Sequence, residues 1–475
     1  MFSLIKNNKT PLLLVVTCIA FYTTFAYHLD RSDFIKLISL FGGLFFLTYK
    51  ILQINKGRFW FFVILGIVFR LIFIVVLPNL SQDFYRFIWD GRLVFQGVNP
   101  YLFSPENYLS GDLSSRDILG ALEVTSSIKV NQAQELYEGM GKLNGSHFSN
   151  YPPINQLFFA IAALFTGNSI LGSVITMRLF IILADVGILY FGRKLLVKLN
   201  QDPDKIFWYF LNPFIIIELS GNLHFEGVML FFVIWSLYLL HQKKWFWSAV
   251  VLGISVSVKL IPLLFLPLYY QWFIRKKEVS TALRLRSVVK FNLTKLIKYY
   301  IVIVITVVLT FLPFYSPQFV SNFSETIALW FQNFEFNASV YYVIRWVGFK
   351  IIGWNIIETA GKILPLIIIG FLLILTFFRK NKSFQQLITV MLFGISFYYL
   401  LSTTVHPWYI ATPLLLSIFT KYRFPIVWSL MVMLSYSAYS ISGFSENLWL
   451  IALEYLIVIG YFIWELTKKS KAIIV

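Results

Sequence analysis

Residues 79–101 concentrate charged side chains in a chain that otherwise has few of them. Asp83, Arg86, Asp90 and Arg92 fall within ten residues. Carboxylates can take up protons, and guanidinium groups bind phosphates and carboxylates. Asp83, Arg86 and Asp90 are spaced i, i+3 and i+7, which places them on one face of a helix. Two interpretations fit: a membrane-surface helix that presents these groups, or a solvated amphipathic helix held by internal ion pairs.

Local signals predict where this helix begins and ends. Ser81 can cap its first turn, and no proline follows until Pro100, so the predicted helix runs from about residue 82 to about residue 96. Gly97 is expected to end it, and Asn99 with Pro100 turns the chain.

Composition places the chain in the membrane. Apolar residues make up 58% of its 475 residues and charged residues 13%, which leaves too little polar surface for a soluble protein of this size. The single cysteine, Cys18, lies inside an apolar run and excludes a disulfide framework or a thiolate metal site. The sequence therefore predicts an all-α polytopic membrane protein.

Apolar runs long enough to cross a bilayer recur along the whole chain. The runs of spanning length lie at about 11–28, 34–54, 59–78, 169–192, 205–221, 227–241, 299–315, 356–378, 384–404, 424–441 and 448–466. Shorter or interrupted runs lie at 154–165, 246–270 and 408–420. Together they predict about 11–13 transmembrane helices.

The basic residues indicate the orientation of these helices. If the N-terminus is cytoplasmic, 27 of the 40 lysines and arginines fall in cytoplasmic segments, and most acids fall on the other side. This predicts that both termini are cytoplasmic. The net charge of +18 is then a topology signal with some attraction to anionic lipids, so nucleic acid is not an expected partner.

Three segments depart from simple spans and turns. The first outer loop, 79–168, is predicted to form short amphipathic helices packed on the membrane, and a second outer loop covers 316–345. Segment 246–270 has basic residues at both ends, yet about 25 residues cannot cross the bilayer twice. It is therefore predicted to be a re-entrant hairpin broken near Lys259.

Four other polar motifs are expected on the same outer face, at 150–153, 222–226, 333–342 and 406–409. Each alone fits an ordinary turn or an interfacial aromatic belt, but their convergence predicts a pocket. Inside the spans, Arg178 and Asp185 either share a polar partner in function or form a structural pair. The chain has no Walker A loop, dinucleotide fingerprint or nucleophile elbow, so ATP-driven and redox chemistry are not expected.

The motif Ser-x-Asp-x-Tyr-Arg-x-x-Trp-Asp-Gly-Arg at 81–92, followed by Gly-x-Asn-Pro-Tyr at 97–101, resembles bacterial members of the GT-C class of integral membrane glycosyltransferases. The likeness is closest to the mannosyltransferase-like branch that uses polyprenyl-phosphate sugars. Later motifs follow in the same order, at 151–153, 222–226, 259–262, 334–337 and 406–409.

This resemblance implies a GT-C-type helical bundle with three parts. The catalytic core would be 59–441, preceded by an extra transmembrane hairpin at 1–58. A transmembrane helix and a basic tail at 442–475 would follow the core. The implied location is the bacterial inner membrane, with a polyprenyl-phosphate sugar as donor and a glycan or glycolipid as acceptor.

The resemblance also implies roles for individual residues. Asp83 would be the general base that takes the proton from the acceptor hydroxyl, and Asp90 would orient Arg86 or bind sugar hydroxyls. The cations proposed for the leaving phosphate are Arg86, Arg92, Lys259, Arg345 and His406. The other side chains expected to contact substrate are Tyr151, His224, Glu226, Glu335, Asn337, Tyr341 and Trp408.

Two questions stay open at this point. Classic members of this class often carry paired acids in the first outer loop, whereas here Gln82 precedes Asp83. We therefore expect no metal cofactor, with a divalent metal as the alternative. The activity that the resemblance implies is transfer of a hexose, with mannose favoured, from the polyprenyl-phosphate donor. The alternatives are a lipid-linked glycan flippase or transporter, a non-enzymatic scaffold, and a GT-C transferase with another lipid or protein acceptor.

Overall fold

The computed structural model describes residues 9–110, 129–274, 282–332, 334–379, 381 and 383–471. Within these residues the fold is helical apart from one small β-hairpin. The helices of the first half are α1 (Lys9–His28), α2 (Phe34–Ile54), α3 (Phe59–Leu71), α4 (Asp83–Phe95), α5 (Pro105–Ser110), α6 (Ala133–Gly145), α7 (Pro153–Thr166), α8 (Ile170–Lys198), α9 (Phe207–Phe210) and α10 (Glu226–His241). A 3₁₀ turn at Pro203–Ile206 and a π-helix at Ile215–Gly221 flank α9.

The second half continues in the same way. Its helices are α11 (Trp245–Val258), α12 (Tyr270–Phe273), α13 (Ala282–Phe311), α14 (Pro317–Gln332), α15 (Val340–Ile351), α16 (Ile357–Phe377), α17 (Phe384–Leu401), α18 (Ala411–Ile418), α19 (Phe424–Met431) and α20 (Leu448–Lys471). Its 3₁₀ segments are Ile261–Phe265, Pro267–Tyr269, Leu312–Phe314, Pro407–Ile410 and Val432–Ala438. The hairpin pairs β1 (Tyr439–Ser440) with β2 (Gly443–Phe444) in antiparallel fashion.

The described helices confirm an all-α polytopic membrane protein. Seven are long and apolar enough to cross a bilayer, and an eighth crossing is formed if the bent pair Ile215–Gly221 and α10 is one broken span. Five shorter apolar helices of 10–17 residues accompany them. The total of 11–13 spans stays a prediction because these shorter helices do not reach bilayer length by themselves.

The predicted outer-loop helix is present as α4, within one residue of the predicted bounds at each end. The predicted cap at Ser81 is wrong by one residue, because the N-cap is Gln82 and its side chain forms no capping bond. The Ser81 hydroxyl instead accepts a hydrogen bond from the backbone N–H of Asp83 (3.3 Å) in the turn before the helix. Gly97 adopts a positive φ of 78° just beyond the end of the helix. Helix α4 lies so close to α7 that a Cβ on Gly91 would be 2.3 Å from the carbonyl oxygen of Phe159.

Two breaks in apolar helices lie beside α4. The π-helix and α10 meet at an angle of 110°, and the intervening Asn222 side chain accepts a hydrogen bond from the Leu80 backbone (3.1 Å). Helix α11 ends at Val258, and Lys259 is extended (φ −154°, ψ 138°). The predicted break at Lys259 is therefore confirmed. The return of this segment to the same membrane face stays a prediction.

The buried charges of the spans are structural. Asp185 pairs with Arg70 (2.8 Å), and both side chains are fully buried. Arg178 instead donates to the carbonyl oxygens of Ser220 (2.7 Å) and Gly221 (2.8 Å), which hold the C-terminal end of the π-helix. The predicted structural pair of Arg178 with Asp185 is therefore wrong among the described residues, because Asp185 pairs with Arg70 and Arg178 donates to backbone carbonyls.

Candidate functional site

Asp83 is the first residue of α4, and its carboxylate is half-buried. Among the described side chains, Asn144 on α6 is the hydrogen-bond donor to it, at 3.3 Å. Burial raises the pKa of Asp83 above that of an ordinary aspartate, while the charge of Lys259, the Asn144 hydrogen bond and the charge of Arg31 lower it. The carboxylate therefore keeps unused acceptor capacity, which a general base requires.

Lys259 brings a positive charge to this carboxylate. The break after α11 places its ammonium in an ion pair with Glu226, the first residue of α10, and 4.8 Å from the centre of the Tyr409 ring. The Lys259 side chain is 28% exposed and that of Glu226 only 4%. The ammonium is thus open to a ligand from one side, while the carboxylate that holds it is covered.

Two imidazoles and an indole form a stacked group beside Lys259. The ring centroids of His224 and Trp408 are 3.6 Å apart, and those of His406 and Trp408 are 4.5 Å apart with nearly parallel planes. Burial, reinforced by the charges of Lys259 and Arg31, lowers the pKa of His406 to about 3. This lowered pKa disfavours the cationic imidazole expected from the sequence, and the role of His406 stays a prediction.

Tyr151 packs among the aromatic side chains of α4 and α7. Its ring packs edge-on against Phe87 (4.9 Å between centroids) and Phe159 (5.9 Å). Burial, with a smaller contribution from the charge of Asp83, raises the pKa of Tyr151 well above its usual value. Tyr151 therefore offers a neutral hydroxyl close to the carboxylate. Its own backbone carbonyl is held by the hydroxyl of Tyr101 (2.6 Å).

Arg86 and Asp90 pair with each other instead of facing the Asp83 site. The Arg86 Nε donates to Asp90 (2.8 Å), and its Nη1 donates to the carbonyl oxygens of Asn144 (2.8 Å) and His147 (2.7 Å). Asp90 is fully buried and also accepts from Ser149 and from Gln156. The internal ion pair of the second interpretation is therefore present, but its solvated helix is wrong, because Arg86 and Asp90 are both buried. The pair ties α4 to the loop 144–149.

Arg92 lies at the far end of α4. It donates to the backbone carbonyl of Asn131, to the Gln132 side chain (3.0 Å) and to the carbonyl of Asn168 (3.1 Å). Nine residues of helix separate it from Asp83, or about 13 Å along the axis. The structure thus places Arg92 with the outer-loop backbone and apart from Lys259.

The predicted residues of the second outer loop form a neighbouring cluster. Glu335 forms an ion pair with Arg345 and accepts a hydrogen bond from the side-chain amide of Asn355. The side-chain oxygen of Asn355 in turn accepts a hydrogen bond from the Tyr341 hydroxyl (3.0 Å). Asn337 is fully buried and donates its backbone N–H to Glu446 (2.6 Å).

One strand-like contact joins this cluster to the Trp408 group. Phe336 bridges Thr404, and its ring is 5.3 Å from that of His406. No ion pair or hydrogen bond between described residues links Arg345 to Asp83.

Two charged residues of the site were not predicted. Arg31, in the turn between α1 and α2, stacks over the ring of Tyr439 (3.3 Å) and acts electrostatically on Asp83. Glu218 in the π-helix is fully buried, accepts from the Tyr436 hydroxyl (2.8 Å) and faces His224 (3.8 Å). Each carried a signal: Arg31 is a basic residue in an outer turn, and Glu218 is an acid within an apolar run.

The possible metal ligands of the described residues lie apart from one another. Over the described ranges, no three His, Cys, Asp or Glu side chains group closely enough to hold a metal ion. Asp83 stands beside amide, phenol and ammonium groups instead of a second carboxylate at ligand distance. The expectation that the chain needs no metal stays a prediction.

Comparison with known proteins adds one finding. Residues 57–275 match the model of the MptA_B family, described as alpha-(1->6)-mannopyranosyltransferase, N-terminal domain. No curated protein matches the chain. The matched region is less than half of the 475 residues and contains Asp83, Tyr151 and Lys259, but neither Arg31 nor Trp408. The match supports a glycosyltransferase, and within that class a mannosyltransferase, for this multi-pass membrane protein.

Proposed function

We propose that this protein transfers mannose from a polyprenyl-phosphate donor to a hydroxyl of a lipid-linked or cell-envelope glycan. The reaction would take place on the non-cytoplasmic face of the bacterial inner membrane. One observation carries the proposal: Asp83, inside the region matched by the mannosyltransferase family, is a half-buried carboxylate that accepts from one described side chain and feels the charge of Lys259.

The proposed step is a single displacement. The acceptor hydroxyl oxygen forms a bond to the anomeric carbon of mannose, and its proton passes to the Asp83 carboxylate. The bond between that carbon and the phosphate oxygen breaks, and its electron pair leaves with the polyprenyl phosphate. Attack from the face opposite the phosphate inverts the anomeric configuration. Asp83 then returns its proton to water.

Lys259 is the proposed cation for the leaving phosphate. Negative charge develops on the phosphate as the bond to carbon breaks, and a nearby ammonium stabilises that charge most when water is excluded. The buried Glu226 fixes the position of Lys259 and leaves its ammonium partly exposed. Glu226 is accordingly a positioning residue in this proposal.

The stacked group is the proposed sugar platform, with the half-buried His406 as its accessible member and the buried Trp408 and His224 behind it. Aromatic faces pack against the apolar face of a sugar, and neutral imidazoles can both donate and accept hydrogen bonds with its hydroxyl groups. The neutral state of His406 suits this role better than the cationic role expected from the sequence.

The remaining predicted residues take supporting or more remote roles. Arg86 and Asp90 position α4 and the loop 144–149. Glu335 and Arg345 retain side-chain exposures of 18% and 23%, so they are proposed to contact the acceptor beyond the sugar platform. Arg92 is assigned no contact with the reacting groups.

A donor and acceptor assay with the purified protein in liposomes tests this proposal. Radiolabelled polyprenyl-phosphate mannose is supplied with a mannose-containing glycan acceptor, and nucleotide-linked mannose is supplied in a parallel reaction. The expected result is a new mannoside and an equal amount of polyprenyl phosphate, from the lipid-linked donor alone. Transfer from the nucleotide sugar would contradict the proposed donor.

The same liposomes test the transport alternative. A flippase would move the labelled donor between leaflets and leave the mannose attached to the polyprenyl phosphate. Recovery of intact donor in the opposite leaflet, with no new glycosidic bond, would replace transfer by transport as the function.

A further inference from the structure

The turn between α1 and α2 is locally well ordered. The Asp30 carboxylate accepts from the backbone N–H (2.8 Å) and the hydroxyl (2.6 Å) of Ser32. Asp33 caps α2 by accepting from the backbone N–H of Lys36 (3.1 Å). Both acids of the turn are thus engaged with the turn itself. Neither forms an ion pair with Arg31, which leaves that guanidinium without a carboxylate partner in the part of the chain that the structure describes.

The turn is anchored to the segment that leads into α4. The Asn79 side chain donates to the carbonyl oxygens of Phe25 (2.9 Å) and Leu29 (3.2 Å), at the end of α1. Further down the same helix, the ring of Tyr22 lies 4.7 Å from that of Phe69 on α3. Asn79 precedes Asp83 by four residues, so these contacts fix the turn next to the catalytic carboxylate.

The Arg31 guanidinium faces the candidate site. Its Cζ lies 3.3 Å from the centre of the Tyr439 ring, and its Nε is buried without an acceptor among the described residues. Its charge acts on four titratable side chains of the site: Asp83, Glu218, His224 and His406. A guanidinium that is placed by an aromatic ring and has no carboxylate partner among the described residues can bind an oxyanion through its donor fork.

We propose that Arg31 binds the phosphate of the polyprenyl-phosphate donor, so that the N-terminal hairpin α1–α2 completes the active site. This inference rests on the proposed function, because it takes its ligand from that donor. The hairpin precedes the region matched by the mannosyltransferase family, which begins at residue 57. Arg31 and Lys259 would then contact the phosphate from different elements of the fold.

Direct binding of undecaprenyl phosphate tests this role, with undecaprenol as the ligand that lacks the phosphate. The variants are Arg31→Gln, which removes the charge, and Arg31→Lys, which keeps it but loses the planar fork. Arg193→Gln is the matched control, since Arg193 also stacks on an aromatic ring (Phe59, 4.5 Å) and also has a buried Nε without an acceptor among the described residues.

The expected result is a selective loss of phosphate binding. Removal of one charge-assisted hydrogen bond should weaken undecaprenyl-phosphate binding by roughly 10- to 100-fold in Arg31→Gln, with a smaller loss in Arg31→Lys. Undecaprenol binding and the Arg193→Gln variant should match wild type. Melting temperatures measured in the same detergent show whether each variant is folded.

Two outcomes would overturn the inference. A folded Arg31→Gln protein that binds undecaprenyl phosphate within about twofold of wild type has lost no phosphate ligand. If Arg31→Gln does not fold, Arg31→Met takes its place, since it keeps an unbranched stem and removes the charge; wild-type phosphate binding by folded Arg31→Met overturns the inference. Wild-type protein that binds the phosphate through Arg31 yet transfers no mannose would refute the proposed function instead and leave the phosphate site standing.

Discussion

Asp83 and Asp90 lie two turns apart on the same helix, and their surroundings differ in every respect that matters for chemistry. Asp90 is fully buried and accepts hydrogen bonds from Arg86, Ser149 and Gln156. Asp83 is half-buried and accepts from one described side chain, Asn144. A carboxylate whose acceptor sites are filled holds a fold together, whereas one with unfilled sites can take a proton.

The packing of α4 explains the difference. From Arg86 to Gly91 the helix is covered by α7, to which Gly91 allows a close approach, and by the loop 144–149. Its N-terminal end adjoins two helix breaks: Leu80 donates to Asn222 between the π-helix and α10, and the charge of Lys259 at the end of α11 acts on Asp83. Broken helices leave room for a substrate, while continuous ones close around an ion pair.

The cations follow the same division. Arg86 and Arg92 each donate three hydrogen bonds, mostly to backbone carbonyls. Lys259 has one carboxylate partner and remains partly exposed, and Arg31 has no carboxylate partner among the described residues. We therefore expect substitutions at one end of α4 to change turnover, and substitutions towards the other end to change stability.

The largest expected effect on turnover is that of Asp83→Asn. The amide cannot accept the proton, so mannose transfer should fall by roughly 10²- to 10⁴-fold. Asn144 can still hydrogen-bond to the new side chain, so the melting temperature in detergent should stay close to that of wild type. If Asp83→Asn transfers mannose at the wild-type rate, Asp83 is not the general base and this end of α4 is not catalytic.

Asp90→Asn should give the opposite pattern. It leaves the buried Arg86 charge without its counter-ion, which typically costs about 3–5 kcal/mol of stability. The free energy of unfolding, measured in a mild detergent, should fall accordingly. Turnover per folded molecule should remain near that of wild type. A stable Asp90→Asn protein with greatly reduced turnover would place Asp90 in the reaction after all.

The Lys259→Gln variant tests the electrostatics at the Asp83 end of α4 through the pH dependence of turnover. The charge of Lys259 lowers the pKa of Asp83 against the effect of burial, so its removal should raise that pKa further. Because the base must be ionised, the acidic limb of the activity profile should move to higher pH, and maximal turnover should fall by roughly 10- to 100-fold.

A double variant provides the control for Lys259→Gln. The charge of Glu226 raises the pKa of Asp83, so removing both charges in Glu226→Gln with Lys259→Gln should shift the limb less than the single change. If the acidic limb of the activity profile of Lys259→Gln coincides with that of wild type, a group other than Asp83 limits activity at low pH.

Arg92→Gln should have the smallest effect. Arg92 contacts outer-loop residues about 13 Å along the helix from Asp83. Turnover and the Michaelis constant for the donor should equal those of wild type, while limited proteolysis should cut the segment around Gln132 faster. A raised Michaelis constant would restore Arg92 as a substrate ligand, as the resemblance had implied.

Local signals in the sequence predicted α4 well. The bounds expected from Ser81 and Gly97 match Asp83–Phe95 closely, and the break at Lys259 was also expected. These features depend on capping, glycine conformation and charge within an apolar run, all of which can be read over a few residues.

The assembly of the site could not be read in this way. The stacking of His224 on Trp408 joins residues 184 apart in the chain, and Arg31 reaches Asp83 through the packing of a hairpin expected to be an addition. The sequence also could not decide whether Arg86 and Asp90 pair with each other or face a substrate. An i, i+4 pair on a helix forms equally well at a surface and in a core.

The most direct test of the account is the ratio of two turnovers, measured side by side for Asp83→Asn and Asp90→Asn. Both variants receive the same polyprenyl-phosphate mannose and acceptor, and each rate is divided by the amount of folded protein. The account predicts at most about 1% of wild-type turnover for Asp83→Asn and nearly full turnover for Asp90→Asn. Equal losses in both variants, or transfer by Asp83→Asn at the wild-type rate, would contradict it.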